Sequence, residues 1–92
     1  MEYVYTAWFR DTSAQPEDQD YEWPACIVID AEKVEDANEW GDHLAKRFTS
    51  NHTNEEFLRS TSEPIEDYAT ADLSSSPRIK HGYDATDQEI GW

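Results

Sequence analysis

Glycine, cysteine and basic side chains are scarce in this chain, and each shortage closes a class of function. The three glycines, Gly41, Gly82 and Gly91, are too scattered to build a glycine-rich phosphate loop. The single cysteine, Cys26, allows neither an internal disulfide nor a cysteine-ligated zinc site, and inside the apolar run 25–29 it reads as a small buried hydrophobe. Seven Lys and Arg stand against 21 Asp and Glu, a formal charge of −14 that repels nucleic acid and anionic membrane and attracts basic protein surfaces. No apolar run approaches the roughly 20 residues that cross a bilayer. No basic stretch followed by a hydrophobic segment opens the chain, so a cytoplasmic location without an export signal is expected.

Recognisable reaction chemistry is equally sparse. His43, His52 and His81 lack ligand spacing, and no serine sits in a nucleophile-elbow context. The alternation Asp18, Asp20, Glu22 resembles the start of a calcium loop, but the turn glycine and the terminal bidentate glutamate are missing. Asn51-His52-Thr53 matches a glycosylation sequon that, without export, goes unused. The expectation is a protein without metal or cofactor that is not an enzyme.

What is present is aromatic and amphipathic. Four Trp, five Tyr and three Phe among 92 residues supply one modest core, hence one small domain over 1–73 followed by a C-terminal segment, 74–92. The strongest signal is the passage from Ala25-Cys26-Ile27-Val28-Ile29-Asp30 into a stripe of Val34, Ala37, Trp40/Gly41, Leu44/Ala45 and Phe48. A β-branched run gives way to a helical period, which predicts a buried strand and a helix over about 31–50. Asp30 is placed to cap that helix, acids fill its first turns, and Lys46 and Arg47 fall in its last.

The remaining elements follow from composition and punctuation. Glu2 to Arg10 is apolar on both alternations, with Tyr3, Tyr5, Ala7 and Phe9 on one side and Val4, Thr6 and Trp8 on the other, which suits a central strand. Asp11 to Asp20 reads as a mobile acidic loop, and a second strand runs from about Tyr21 to Ile29, with Pro24 implying an edge or a bulge. Thr53 to Thr61 fits a short capped helix or a strand. The strand is preferred, because a strand-helix-strand crossover buries the helix stripe, and it then lies parallel to the second strand and beside the first. Ser62-Glu63-Pro64 reads as a cap and first-turn proline opening a short second helix over about 63–73. Arg78, Ile79, Lys80 and Tyr83 suggest a short strand before an acidic end that closes on Ile90 and Trp92. The fold expected is α+β: a mainly antiparallel sheet of three or four strands in β-β-α-β order, with the main helix on one face. The other face is either open or covered by the short helix or the C-terminal tail.

The acids are patterned as well as numerous. Glu32, Glu35, Asp36, Glu39 and Asp42 recur at helical spacing opposite the apolar stripe. At about 1.5 Å rise per residue they place a charge every ~3 to 4 Å, close to the ~3.4 Å between phosphates of one DNA strand. Glu17, Asp18, Asp20 and Glu22 form a second acidic group, and Glu55, Glu56, Glu63, Glu66 and Asp67 a third. Trp8, Tyr21 and Trp23 are the candidate aromatic anchors beside them. Excess acid also arises in proteins of a salty cytoplasm and in proteins that need only solubility.

The passage Ile27-Val28-Ile29-Asp30-Ala31 into Val34-Glu35-Asp36-Ala37 resembles the strand-to-helix step of small ferredoxin-like and related α+β domains, over about a quarter of the chain. As a whole, the short, acidic, aromatic-rich chain resembles phage-encoded inhibitors of the anti-CRISPR and anti-restriction classes, several of which mimic nucleic acid. It shares the same character with immunity proteins that neutralise nuclease toxins. The resemblance implies a cytoplasmic, non-catalytic protein, monomer or homodimer. Its partner would be a basic nucleic-acid-binding protein: a CRISPR effector, a restriction enzyme or a nuclease toxin. Direct binding to nucleic acid or membrane is not expected.

Overall fold

A computed structural model of the chain describes residues 1–18, 21–68 and 77–90. It contains β1 (Glu2–Asp11), β2 (Glu22–Asp30), α1 (Val34–Asn51), β3 (Glu55–Pro64), a 3-10 turn (Ile65–Tyr68), β4 (Arg78–Lys80) and α2 (Asp87–Ile90). The sheet order is β3-β1-β2-β4, with β1 antiparallel to both neighbours and β4 parallel to β2. This is the α+β architecture expected from the sequence, and the doubly apolar first strand is central. As expected of a crossover, β3 runs parallel to β2 with β1 between them.

One face of the sheet and the stripe of α1 form the core. Tyr3, Tyr5, Ala7 and Phe9 of β1, with Ile27 and Ile29 of β2, bury against Ala37, Leu44, Ala45 and Phe48 of α1. Each large side chain so removed from water contributes roughly 1.5 to 3 kcal/mol. The rings interlock near one end: Phe9 lies 4.9 Å from Trp23 and 5.1 Å, edge-on, from Phe48. Ile79, Ala85 and Ile90 join the same core, so residues 79–90 pack with the first part of the chain. It is fastened there by the Trp40 Nε1 bond to the Tyr83 carbonyl, by Arg47 on Asp84 and the Ala85 carbonyl, and by a Thr86–Glu89 capping box on α2.

Several local expectations are corrected. The helix begins at Val34, not 31, because β2 continues through Asp30. Asp30 therefore caps nothing; it pairs with the Met1 amino group at 3.1 Å, and the N-cap residue, Lys33, has no side-chain cap bond. The helix runs on to Asn51, which leaves its last turn without the basic residues expected there. Ser62, Glu63 and Pro64 belong to β3 and open no helix; only the 3-10 turn follows, and the rest of the expected second helix, 69–73, lies outside the described residues. Cys26 is exposed, because period two turns it, with Thr6 at 3.4 Å, to the face away from α1. On that face Val4 and Val28 are nonetheless buried, at 2% and 1% exposure.

The two strand prolines are explained by ladder geometry. Val28 N donates outward to the Pro77 carbonyl while Ala31 N donates inward to Met1, so even-numbered N–H groups of β2 point away from β1, and Pro24 lies on that open side. On β3 the paired positions Val4↔Glu63 and Thr6↔Thr61 turn Glu63 and Thr61 inward, which leaves Pro64 outward as well. Neither proline removes a ladder bond.

Candidate interaction site

The most structured polar site lies where α1 crosses β3. Asn38 and Asp42, one turn apart, flank the apolar stripe on the side facing β3, and the alternation Ser60, Ser62 turns both serine hydroxyls up toward them. Asp42 accepts from the Tyr5 hydroxyl at 2.8 Å, from Ser60 at 2.6 Å and from the Asn38 amide at 3.3 Å; Ser62 donates to Asn38 at 2.7 Å. Tyr5 itself is fully buried. Burial, then its bond to Asp42 and the charge of that carboxylate, push its phenol well above the ordinary value, with the Ser60 bond opposing. The helix comes this close because position 41 is glycine: a Cβ there would fall 2.3 Å from the Tyr5 ring.

Beside this cluster an open groove of about 590 Å³ runs between α1 and β3, lined by Val34, Glu35, Asn38, Glu39, Asp42, Lys46 and Ser62. Its walls carry three carboxylates and one amine. Among the described residues no group of three His, Cys, Asp or Glu is placed to hold a metal ion, and no helix is long and apolar enough to cross a membrane.

The five acids read as one stripe are divided. Glu35, Glu39 and Asp42 line the groove on the β3 side, whereas Glu32 and Asp36 line a separate hollow with Asp30, Lys80 and His81. Glu32 precedes the helix, and Asp42 faces the sheet cluster and does not belong to a solvated face. Of the second acidic group, Glu17 and Asp18 are exposed in the turns between β1 and β2, and Asp20 lies outside the described residues. Glu22 meets Arg10 at 3.4 Å, and the same guanidinium lies 3.5 Å from Glu56. Asp11 opens these turns by accepting from the Ser13 hydroxyl and N–H, bonds that lower its pKa.

The three aromatics do not form one patch. Trp8 lies on the sheet face away from α1 with the Arg59 guanidinium over its ring at 4.8 Å. Tyr21 sits under Arg10 at 5.5 Å, at the end of the sheet. Trp23 points to the helix side, packs on Phe9 and Phe48, and donates its Nε1 to Glu55 at 3.0 Å, so it is a core anchor with one polar contact. The residues overlooked from sequence are Tyr5, Asn38, Ser60, Ser62 and Lys46. The signals were a glycine on the buried stripe, polar residues at 38 and 42 on its flank, and serines at period two. Compared with protein-family models, curated proteins and solved structures, the chain matches none.

Proposed function

We propose that this protein is a non-catalytic acidic inhibitor that occupies the basic nucleic-acid-binding surface of a partner protein, in the manner of anti-CRISPR or anti-restriction proteins. The observation that carries this reading is the placement of acids to both sides of α1, Glu35 and Glu39 by the groove and Asp36, with Glu32 just ahead of the helix, by the opposite hollow, on a chain of net charge −14. A field of that sign speeds encounter with Lys- and Arg-rich channels and deters nucleic acid itself. Acids to both sides present a negative ridge about as wide as a helix, the shape that a channel built for a phosphate backbone accepts.

The test is a competition titration. The protein should displace DNA or RNA from a basic effector, increasingly so as salt falls, while binding no nucleic acid alone. Direct DNA binding by the isolated protein at moderate salt would end the proposal. Protection of cells against one nuclease toxin, with CRISPR and restriction activity untouched, would instead assign an immunity protein.

A further inference from the structure

The outer edge of β3 and the acidic groove are adjacent, and together they specify more than attraction to positive charge. In the antiparallel ladder with β1, Arg59, Thr61 and Glu63 turn their backbone groups inward, so the N–H and C=O groups of Ser60 and Ser62 face outward. Among the described residues no other strand lies beyond β3 in the sheet and no backbone group bonds these positions. Upstream the ladder shifts register between Trp8 and Phe9, opposite Leu58, so the regular free edge is Arg59–Pro64. The same serines point their side chains toward α1, and Ser62 lines the groove with Glu35, Glu39 and Asp42.

A fifth strand laid about 4.8 Å beyond β3 would run along the open side of this groove, and every second side chain would rise between β3 and α1. We propose that the partner docks here by strand addition: an extended segment pairs antiparallel with Arg59–Pro64, and its helix-side residues are Lys or Arg. Antiparallel pairing sets those basic residues directly opposite Ser60 and Ser62. Their backbone then bonds the edge while their cationic ends reach Glu35 and Glu39. Charge complementarity selects this occupant over a second copy of the chain. A two-fold β3–β3 pairing would bring the two α1 helices within about 10 Å of each other with Glu35 and Glu39 of each near the same acids of its copy.

This inference rests on the proposed attraction to a basic partner but can fail separately from it. The probe is a peptide of about nine residues alternating Lys and Val, long enough to cover the edge. Added at low salt, it should raise hydrogen-exchange protection of the Ser60 and Ser62 amides at least tenfold. N-methylation of its Lys residues, whose N–H groups face β3 in this register, should weaken binding at least tenfold, whereas N-methylation of the Val residues should not. Glu35→Gln with Glu39→Gln should weaken the unmodified peptide by about tenfold with the circular dichroism spectrum unchanged. Equal binding of both methylated peptides would overturn strand addition while leaving displacement of nucleic acid intact. Protection of the same amides that grows with protein concentration without peptide would overturn it in favour of self-association.

Discussion

Tyr5 is a phenol in the core that donates to the Asp42 carboxylate, and its chemistry is readable in stability. Because folding raises its pKa, the neutral ring and its bond to Asp42 contribute fully below the unfolded value of about 10 and are lost as pH rises beyond it. Tyr5→Phe should cost about 1 kcal/mol near pH 8, the usual worth of such a bond. The gap between wild type and variant should close as urea denaturation is repeated from pH 9 to pH 11; a constant gap would mean that the phenol is not coupled to folding. Gly41 makes the complementary demand. A methyl group there meets the Tyr5 ring, which is wedged in the core and cannot swing aside, so Gly41→Ala should destabilise by roughly 1 to 3 kcal/mol or more despite alanine's better helix propensity. A thermal melt showing stabilisation would contradict the packing described.

At the scale of elements, the flank of α1 toward β3 holds both the anchor to the sheet and the acids proposed to meet the partner. It is anchored through Asn38 and Asp42, whereas Glu35 and Glu39 are exposed on the groove wall. Reversing Glu35→Lys and Glu39→Lys should therefore leave folding within about 1 kcal/mol of wild type. Inhibition of a basic partner should fall steeply, most at low salt. Extending the reversal to Asp42→Lys should also cost folding, since Tyr5, Ser60 and Asn38 all donate to that carboxylate. Denaturation and inhibition measured side by side separate the two. The crossover β2-α1-β3 was legible because the hydrophobic period changes once, at Asp30, and because Val34, Ala37, Leu44 and Phe48 keep one face. Its ends were not legible. Asp30 looks like a cap, yet the strand ladder extends through it to hold Met1. Ser62-Glu63-Pro64 has the grammar of a helix start, but a proline whose nitrogen faces an open edge is equally at home in a strand. Cys26 could be assigned to a face only once the register was known, and the split of the acidic stripe depended on how α1 is rotated on the sheet.

For the whole molecule, the question is what −14 charges do to a 92-residue fold. Among the described residues the ion pairs are at least partly open to water, as with Arg10 beside Glu22 and Glu56, and such pairs contribute at most about 1 kcal/mol each. Cohesion therefore rests on the aromatic core, and the protein should remain folded in dilute buffer, its melting temperature rising only modestly with salt. Folding that requires molar salt would identify the acidity as adaptation to a saline cell and weaken the inhibitor reading. The position of β1 has a different consequence. The strand at the centre of the sheet comes first in the chain, and one of its two neighbours lies far downstream, with Tyr3 opposite Pro64. A chain emerging from the ribosome can close the β1–β2 hairpin early, but Tyr5 and Phe9 stay without their cover until α1 has been made and β3 arrives. Such long-range closure slows folding and leaves an aromatic strand edge bare in the interval. Synthesis rate and chaperone supply would then govern the yield of this protein more than its final stability does.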